Sequence, residues 1–353
     1  MTRSAISRAA LLLFLASACA CAPAPVAGPP PATPGAAATA APMPTPAQSP
    51  AASTTPAAAG APAAPPSAAL HPVDAGRIAT LTGGKPEASD DVVKVSFPRD
   101  DVKVTVDGWK MAPFQGLTSW AAFVPGQKPG VEAMVMGDLV LFEDEVTPAM
   151  TAALDGGLEV TALHNHFLFD KPPVFFMHIG GEGSLEQLGK GVKAALDAQH
   201  GVRARAAQPA TAFGHAPSGA SAIDAAKLDA AFGMKGTSKD GMYKVTMGRT
   251  ANAACGCTIG KAMGVNTWAV FAGKDDDAIV DGDFAVAEAE LQPVLKALTG
   301  ASVHVVAIHS HMTGESPRLL FLHYWGRGKA ADLAGALKRA VDLTDWDGKH
   351  TAT

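Results

Sequence analysis

After residue 72 the spacing of apolar and polar positions changes several times, and each change predicts an element. Alternating, β-type runs occupy Val92 to Phe97, Val102 to Val106, Ser119 to Val124 and Ala133 to Leu141, the period of two expected where one face of a strand is buried. A short helix, Asp74 to Leu81, precedes them. A second helix opens with Glu143-Asp144-Glu145, acids that suit the positive end of the helix dipole, and stops at Gly156-Gly157. Two more strands, Leu158 to His166 and Val174 to Ile179, are joined by a turn holding Asp170 and Pro172, and an amphipathic helix from Leu185 to Ala198 closes the series. Short connections between neighbouring strands predict a mainly antiparallel sheet with helices packed on one face, an α+β fold.

The series then repeats. Lys94-Val95-Ser96 with Arg99 answers Lys244-Val245-Thr246 with Arg249, and Ser119-Trp120-Ala121 answers Thr267-Trp268-Ala269. From Gly137-Asp138, matched by Gly282-Asp283, the offset stays at 145 residues: Glu143, Glu145 and Pro148 fall on Glu288, Glu290 and Pro293. The second set of helices is Asp224 to Phe232, Glu288 to Leu298 and Ala330 to Leu343. Self-similarity of this length marks two homologous domains, at about 72–199 and 222–345, with an Ala-, Gly-, Pro- and Ser-rich linker at 200–221. Two copies of one unit favour pseudo-twofold packing.

Composition changes the picture before residue 70. The 353 residues are 48% hydrophobic but only 17% charged and 6% aromatic, an imbalance that comes largely from an Ala- and Pro-dominated N-terminal stretch and not from an oversized core. Arg3 and Arg8, the apolar run Ala9 to Ala16 and small residues up to Cys19 read as a signal peptide over 1–18. Leu15-Ala16-Ser17-Ala18-Cys19 has the layout of a lipoprotein cleavage box, with Cys19 the lipidated residue and Cys21 a poorer candidate. Residues 19–70 carry no hydrophobic period and read as a disordered, semi-rigid tether. The expected location is the cell envelope, lipid-anchored, at an outer membrane or periplasmic face. A net charge of -5 argues against nucleic acid as a partner.

Chemistry is concentrated in the histidines. In a strand, His164 and His166 would present both rings on one face, about 7 Å apart. A turn centred near Asp170 and Lys171 would bring His178 roughly opposite Leu163 or His164. His309, His311 and His323 repeat the set. Three neutral imidazoles with a fourth position open is the arrangement of a catalytic divalent-metal site, zinc above all. The competing reading is a structural pair copied by duplication. His304 falls on the opposite face from His309 by parity and reads as structural. A fourth ligand or general base would be a carboxylate, with Glu145 and Glu290 the catalytic candidates. Arg99 and Arg249 could hold an anionic group of a small-molecule or envelope ligand, Asp170 and Glu315 suit turn formation, and Trp120 and Trp268 read as core. Cys255-Gly256-Cys257 admits a local disulfide, which is favoured, pairing with another chain, or capture of a soft metal.

Ala162-Leu163-His164-Asn165-His166 with Pro172 and His178, and Ala307-Ile308-His309-Ser310-His311 with Glu315-Ser316-Pro317-Arg318 and His323-Tyr324-Trp325, resemble the LppY/LpqO family over about residues 72 to 345. The resemblance implies a tandem-domain bacterial envelope lipoprotein of uncharacterised function. The first unit departs from the second at Phe169-Asp170-Lys171-Pro172-Pro173. The three-histidine spacing alone is similar to α-acetolactate decarboxylase, and that resemblance implies zinc held by the six histidines and metal-assisted carbonyl or ester chemistry. The expectation is an exported metal-dependent hydrolase or lyase; its rival is a non-enzymatic envelope binding module with structural histidines.

Overall fold

The computed structural model describes residues 73–301 and 303–349; the signal segment, Cys19 and the tether lie outside the described residues, as do His71 and His350. The first repeat runs α1 (Ala75–Thr82), β1 (Lys85–Ser89), β2 (Val92–Pro98), β3 (Thr105–Val106), β4 (Trp109–Lys110), β5 (Thr118–Pro125), β6 (Ala133–Phe142), α2 (Glu143–Asp155), β7 (Glu159–His164), β8 (Asp170–Lys171), β9 (Val174–Gly183) and α3 (Leu185–Arg205). The second runs α4 (Ala225–Phe232), β10 (Thr237–Lys239), β11 (Met242–Gly248), β12 (Ala251–Asn252), β13 (Thr258–Ile259), β14 (Asn266–Lys274), β15 (Asp277–Ala287), α5 (Glu288–Thr299), β16 (Val303–His309), β17 (Leu319–Gly328) and α6 (Ala330–Val341).

Local chemistry explains most boundaries. Asp74 and Asp224 cap α1 and α4 by accepting backbone N–H groups of the first turn, and Gly83 and Gly233 end those helices in the left-handed region, where a glycine has no Cβ to clash. Helix α3 continues seven residues beyond the predicted Ala198, because Gln199 and Val202 stay buried, so the linker starts at 206. The predicted strand Val102 to Val106 is paired only at Thr105–Val106. Its Val102 and Val104 are buried in a loop, so their alternation reported burial and not a ladder. The edge strand β1 is polar and exposed and has no apolar period by which sequence could find it.

Both repeats contribute to one twelve-stranded antiparallel sheet, in the order β1-β2-β5-β6-β9-β7-β16-β17-β15-β14-β11-β10. The repeats join where β7 meets β16, and the Cα partners there are Leu163 and Ile308. These are equivalent residues, 145 apart, so the pseudo-twofold axis passes between them. Residues from all six helices and from the odd positions of β6 (Leu139, Leu141) form a continuous core on one side of the sheet. The opposite side carries two small clusters, one per repeat: Val102, Val104, Leu117, Val140, Phe142, Val174 and Phe176, and Ala251, Ile259, Val265, Ala285, Leu319 and Phe321. By strand alternation Asp138 lies on that side with Val140, and His178 with Phe176.

Two β-bulges make the arrangement possible. Pairing of β7 with β9 shifts register between Val160 and Ala162, and pairing of β16 with β17 shifts between Val305 and Ala307. Val160 and Leu163, three apart, both enter the helix-side core, which strict alternation forbids. The extra residue re-aims the remainder of the strand, sending Ala162 and His164 to the far side. The same shift corrects the parity argument for His304: it pairs with Trp325, which shares the parity of His323. His304 nevertheless stays out of the histidine cluster, hydrogen bonding Thr147 Oγ1 at 2.8 Å and stacking on Phe213.

Candidate metal centre

Each cluster is assembled on three neighbouring strands. His178 pairs directly with Asp138 across β6 and β9, and on its other side with Ala162, one residue earlier than the predicted Leu163 or His164. His164 is therefore diagonal to His178 on the same face, with stacked rings 5.0 Å apart. Strand β7 ends at His164, so His166 lies in the loop after it. Its ring turns back over Phe176, with centroids 3.3 Å apart and planes at 7°. The second repeat matches: His323 pairs with Asp283 and Ala307, His309 lies 4.9 Å from His323, and His311 stacks on Phe321 at 3.5 Å. The structure thus brings together all three predicted histidines in each repeat.

It also adds an aspartate that the histidine spacing did not reveal. The Asp138 and Asp283 side chains are buried, and their Oδ1 atoms have no hydrogen-bond partner; neither has the buried Nε2 of His309. In the second repeat one ligand atom from each of Asp283, His309 and His323 falls within 4.8 Å of the others, a convergence found among the described residues in this repeat only. His311 Nε2 stands 3.7 Å from Asp283 Oδ2 at the more open side. His323 Nδ1 lies 3.3 Å from the Gly282 carbonyl, a contact that fixes the ring and directs Nε2 inward. In the first repeat His164 and His166 face each other Nε2 to Nε2 at 3.1 Å; two lone pairs repel at that distance, so one N–H or a shared cation must lie between them. The signal for the aspartate was present: Gly137-Asp138 recurs as Gly282-Asp283 at the histidines' own offset.

Electrostatics favours neutral nitrogen donors. Burial lowers the proton affinity of His164, His166, His309 and His311, keeping their lone pairs available. Burial also pushes the Asp283 carboxyl up to about 6, against the opposing pull of His323. Two imidazoles and one buried carboxylate fit a divalent ion such as zinc, which supplies the charge that the buried oxygen lacks.

The remaining predicted residues occupy other positions. Arg99, on the way out of β2, donates to the Val140 carbonyl at 2.7 Å and to both oxygens of Glu145 at 2.8 and 3.1 Å. Glu145 also accepts the Phe142 N–H that opens its own helix and faces Arg203 at 2.7 Å. Arg249 likewise holds Glu290, which accepts the Ala287 N–H. These carboxylates and guanidiniums take each other as partners, and no histidine is among them. Asp170 and Glu315 accept the backbone N–H groups of Val174 and Leu319, tying their turns. Trp120 and Trp268, expected in the core, are half-buried beside Asp138 and Asp283 in the ladder, each covered by a lysine ammonium, Lys94 or Lys244, about 4.5 Å from the ring centre. Cys255 and Cys257 are joined in a disulfide.

Comparison with known proteins gives a family without an activity. Residues 76–198 and 226–343 each match the Domain of Unknown Function (DUF1259). No curated protein matches the chain. Among solved structures there is a likeness to a trimeric bacterial microcompartment shell protein, PduB, at 16% identity over 73% of this chain and 89% of that one. With a TM-score of 0.17, so loose a superposition places neither fold nor function.

Proposed function

The chain belongs to the DUF1259 family and carries its domain twice, and from that premise we propose that it is a metal-dependent enzyme of the hydrolase or lyase class. One observation carries the reading: Asp283 Oδ1 and His309 Nε2 are buried without partners, and one ligand atom from each of these two residues and from His323 lies within 4.8 Å of the others. A buried polar atom without a hydrogen bond is costly, and a bound cation removes that cost. Zinc suits the donor set, and when bound would act as a Lewis acid toward a carbonyl or ester oxygen. Asp283, His309 and His323 would hold it. His311, 36% exposed and neutral, stands at the open side where it can accept or deliver a proton. Glu145 and Glu290, paired with arginines, receive no proton-transfer role in this reading.

We also place the domain pair outside the cytoplasm, anchored through Cys19. The apolar N-terminal run supports this, as does the Cys255–Cys257 disulfide, a bond typical of oxidising compartments. The test is metal content of the purified full chain by elemental analysis, beside Asp283→Asn and His323→Ala. About one or two equivalents of a divalent ion, lowered by either substitution, are expected, and would justify a screen of ester and carbonyl substrates. No retained or reconstitutable metal in a folded protein would overturn the reading and leave the envelope binding module.

A further inference from the structure

Beside the histidines of the first repeat, a three-stranded flap (β4-β3-β8) carries a group of side chains that the metal reading does not use. Trp109 is 67% exposed, Phe114 100%, Leu168 78% and Phe169 76%. They belong to one place. Val106 pairs with Trp109 on one side and Asp170 on the other, the Asp107 N–H donates to the Phe169 carbonyl, and the turn after Phe114 lies against Phe167 at Gly116. Phe169 sits at φ 60°, a left-handed conformation costly for an aromatic residue and worth explaining when the side chain it holds is left in solvent. One residue behind this tip Thr105 pairs with both Lys110 and Lys171, which are exposed. Within the flap Lys110 and Lys171 are matched in number by Asp107 and Asp170, but both lysines pair with Thr105 and so share one face, while Asp170 pairs with Val106 on the other.

We propose that this flap is a lipid-contact surface, with Trp109, Phe114, Leu168 and Phe169 entering the interface of a bilayer and Lys110 and Lys171 meeting its phosphates. Aromatic and aliphatic tips backed by ammonium groups are what an interfacial anchor needs: the rings leave water while the long lysine stems keep their charges at headgroup level. The lysine-bearing face of the flap, Lys110 and Lys171 on either side of Thr105, fits an anionic lipid surface. The second repeat supplies an internal control. Its corresponding hairpin, β12–β13, holds the Cys255–Cys257 disulfide at its tip, and its loop reads Met312-Thr313-Gly314 where the first repeat has Phe167-Leu168-Phe169. The flap is joined to the first repeat's histidines through Phe167, which follows His166 directly and meets its ring edge-on.

The experiment uses the full chain with Cys19→Ser and Cys21→Ser, which removes lipidation and leaves the native disulfide. Phe169→Cys or Phe114→Cys is labelled with a polarity-sensitive fluorophore, and Met263→Cys, 71% exposed in the second repeat, is the comparison. Vesicles of phosphatidylcholine with roughly a third phosphatidylglycerol should shift the emission of both first-repeat labels to the blue and leave the Met263 position unmoved. Lys110→Glu with Lys171→Glu should weaken partitioning at least about tenfold. Far-UV circular dichroism and the two independent label sites separate a surface effect from misfolding. No shift at either first-repeat site overturns the proposal, as does an equal shift at Met263. A shift without vesicles that grows with protein concentration also overturns it and makes the patch a contact between copies.

Discussion

The second repeat closes Asp283, His309 and His323 to within 4.8 Å of one another, whereas the first turns His164 and His166 nitrogen to nitrogen at 3.1 Å. The strands beneath are the same, with the same bulge, the same Gly-Asp pair and the same aromatic floor under the outer histidine, Phe176 or Phe321. What differs is the cover: Phe167-Leu168-Phe169 against Met312-Thr313-Gly314. The comparison separates two layers of the fold. A sheet residue cannot change without disturbing partners on both sides, while loops tolerate exchange and so carry the divergence.

The largest expected effect tests whether the buried ion pairs are as alike as the strands. Glu145 is fully buried and faces both Arg99 and Arg203; Glu290 is 16% exposed and holds Arg249. Glu145→Leu removes the buried carboxylate that Arg99 and Arg203 share and leaves Asp101 and Asp144 as their remaining acidic partners, and the cost should reach about 3–5 kcal/mol. Glu290→Leu should cost less, and equal shifts in urea midpoint at an unchanged m-value would contradict the asymmetry. Next comes the metal. His323→Ala should weaken zinc binding by at least about 100-fold, roughly 2.7 kcal/mol, and His178→Ala by less, because among the described residues an aspartate and two histidines offer ligand atoms within 4.8 Å of one another in the second repeat only; calorimetric titration of both variants ranks them. A reversed order would make the first repeat the stronger site.

Smaller effects probe the frame. A Cβ at Gly282 would meet the Tyr324 hydroxyl and the Trp268 carbonyl, and one at Gly137 the Trp120 carbonyl and Ile179. Tyr324 is held there by donating to Trp268 O at 2.9 Å, so Gly282→Ala should cost about 1–3 kcal/mol. Gly137→Ala should cost less, since an isoleucine side chain can rotate; thermal melts compare the two. The smallest effect is one of pH. Burial alone would raise the Asp101 carboxyl, but the Arg99 hydrogen bonds and charge hold it below the usual range. A depressed carboxylate contributes stability above its unfolded pKa of about 4 and loses it as pH falls through the folded value. Asp101→Asn should therefore flatten the acid limb of the stability curve, by well under about 1 kcal/mol at this exposed position. The second repeat has Ala251 at this place and lacks the effect.

Residue pattern alone made the duplication, the α+β class, most helices and the six histidines legible, because repeated offsets and buried faces leave periods in a chain. Three features escaped for physical reasons. Bulges at Thr161 and Val306 insert one residue without any compositional mark, so parity misplaced His304. Asp138 and Asp283 come from a strand well before the histidines in the chain, and only their recurrence connected them. The ion pairs of Arg99 with Glu145 and Arg249 with Glu290 depend on which strand end meets which helix start, and spacing does not encode that proximity.

The pairing of Leu163 with Ile308 bears on ancestry as well as architecture. A strand that meets its own copy at a pseudo-twofold axis has the geometry of a homodimer seam, here within a single polypeptide. A one-repeat ancestor with this edge would have had bare amide and carbonyl groups along β7, which a second copy satisfies. Separated in the loop before α4 and expressed together, the halves of the present chain should find each other across that edge and form a two-chain complex.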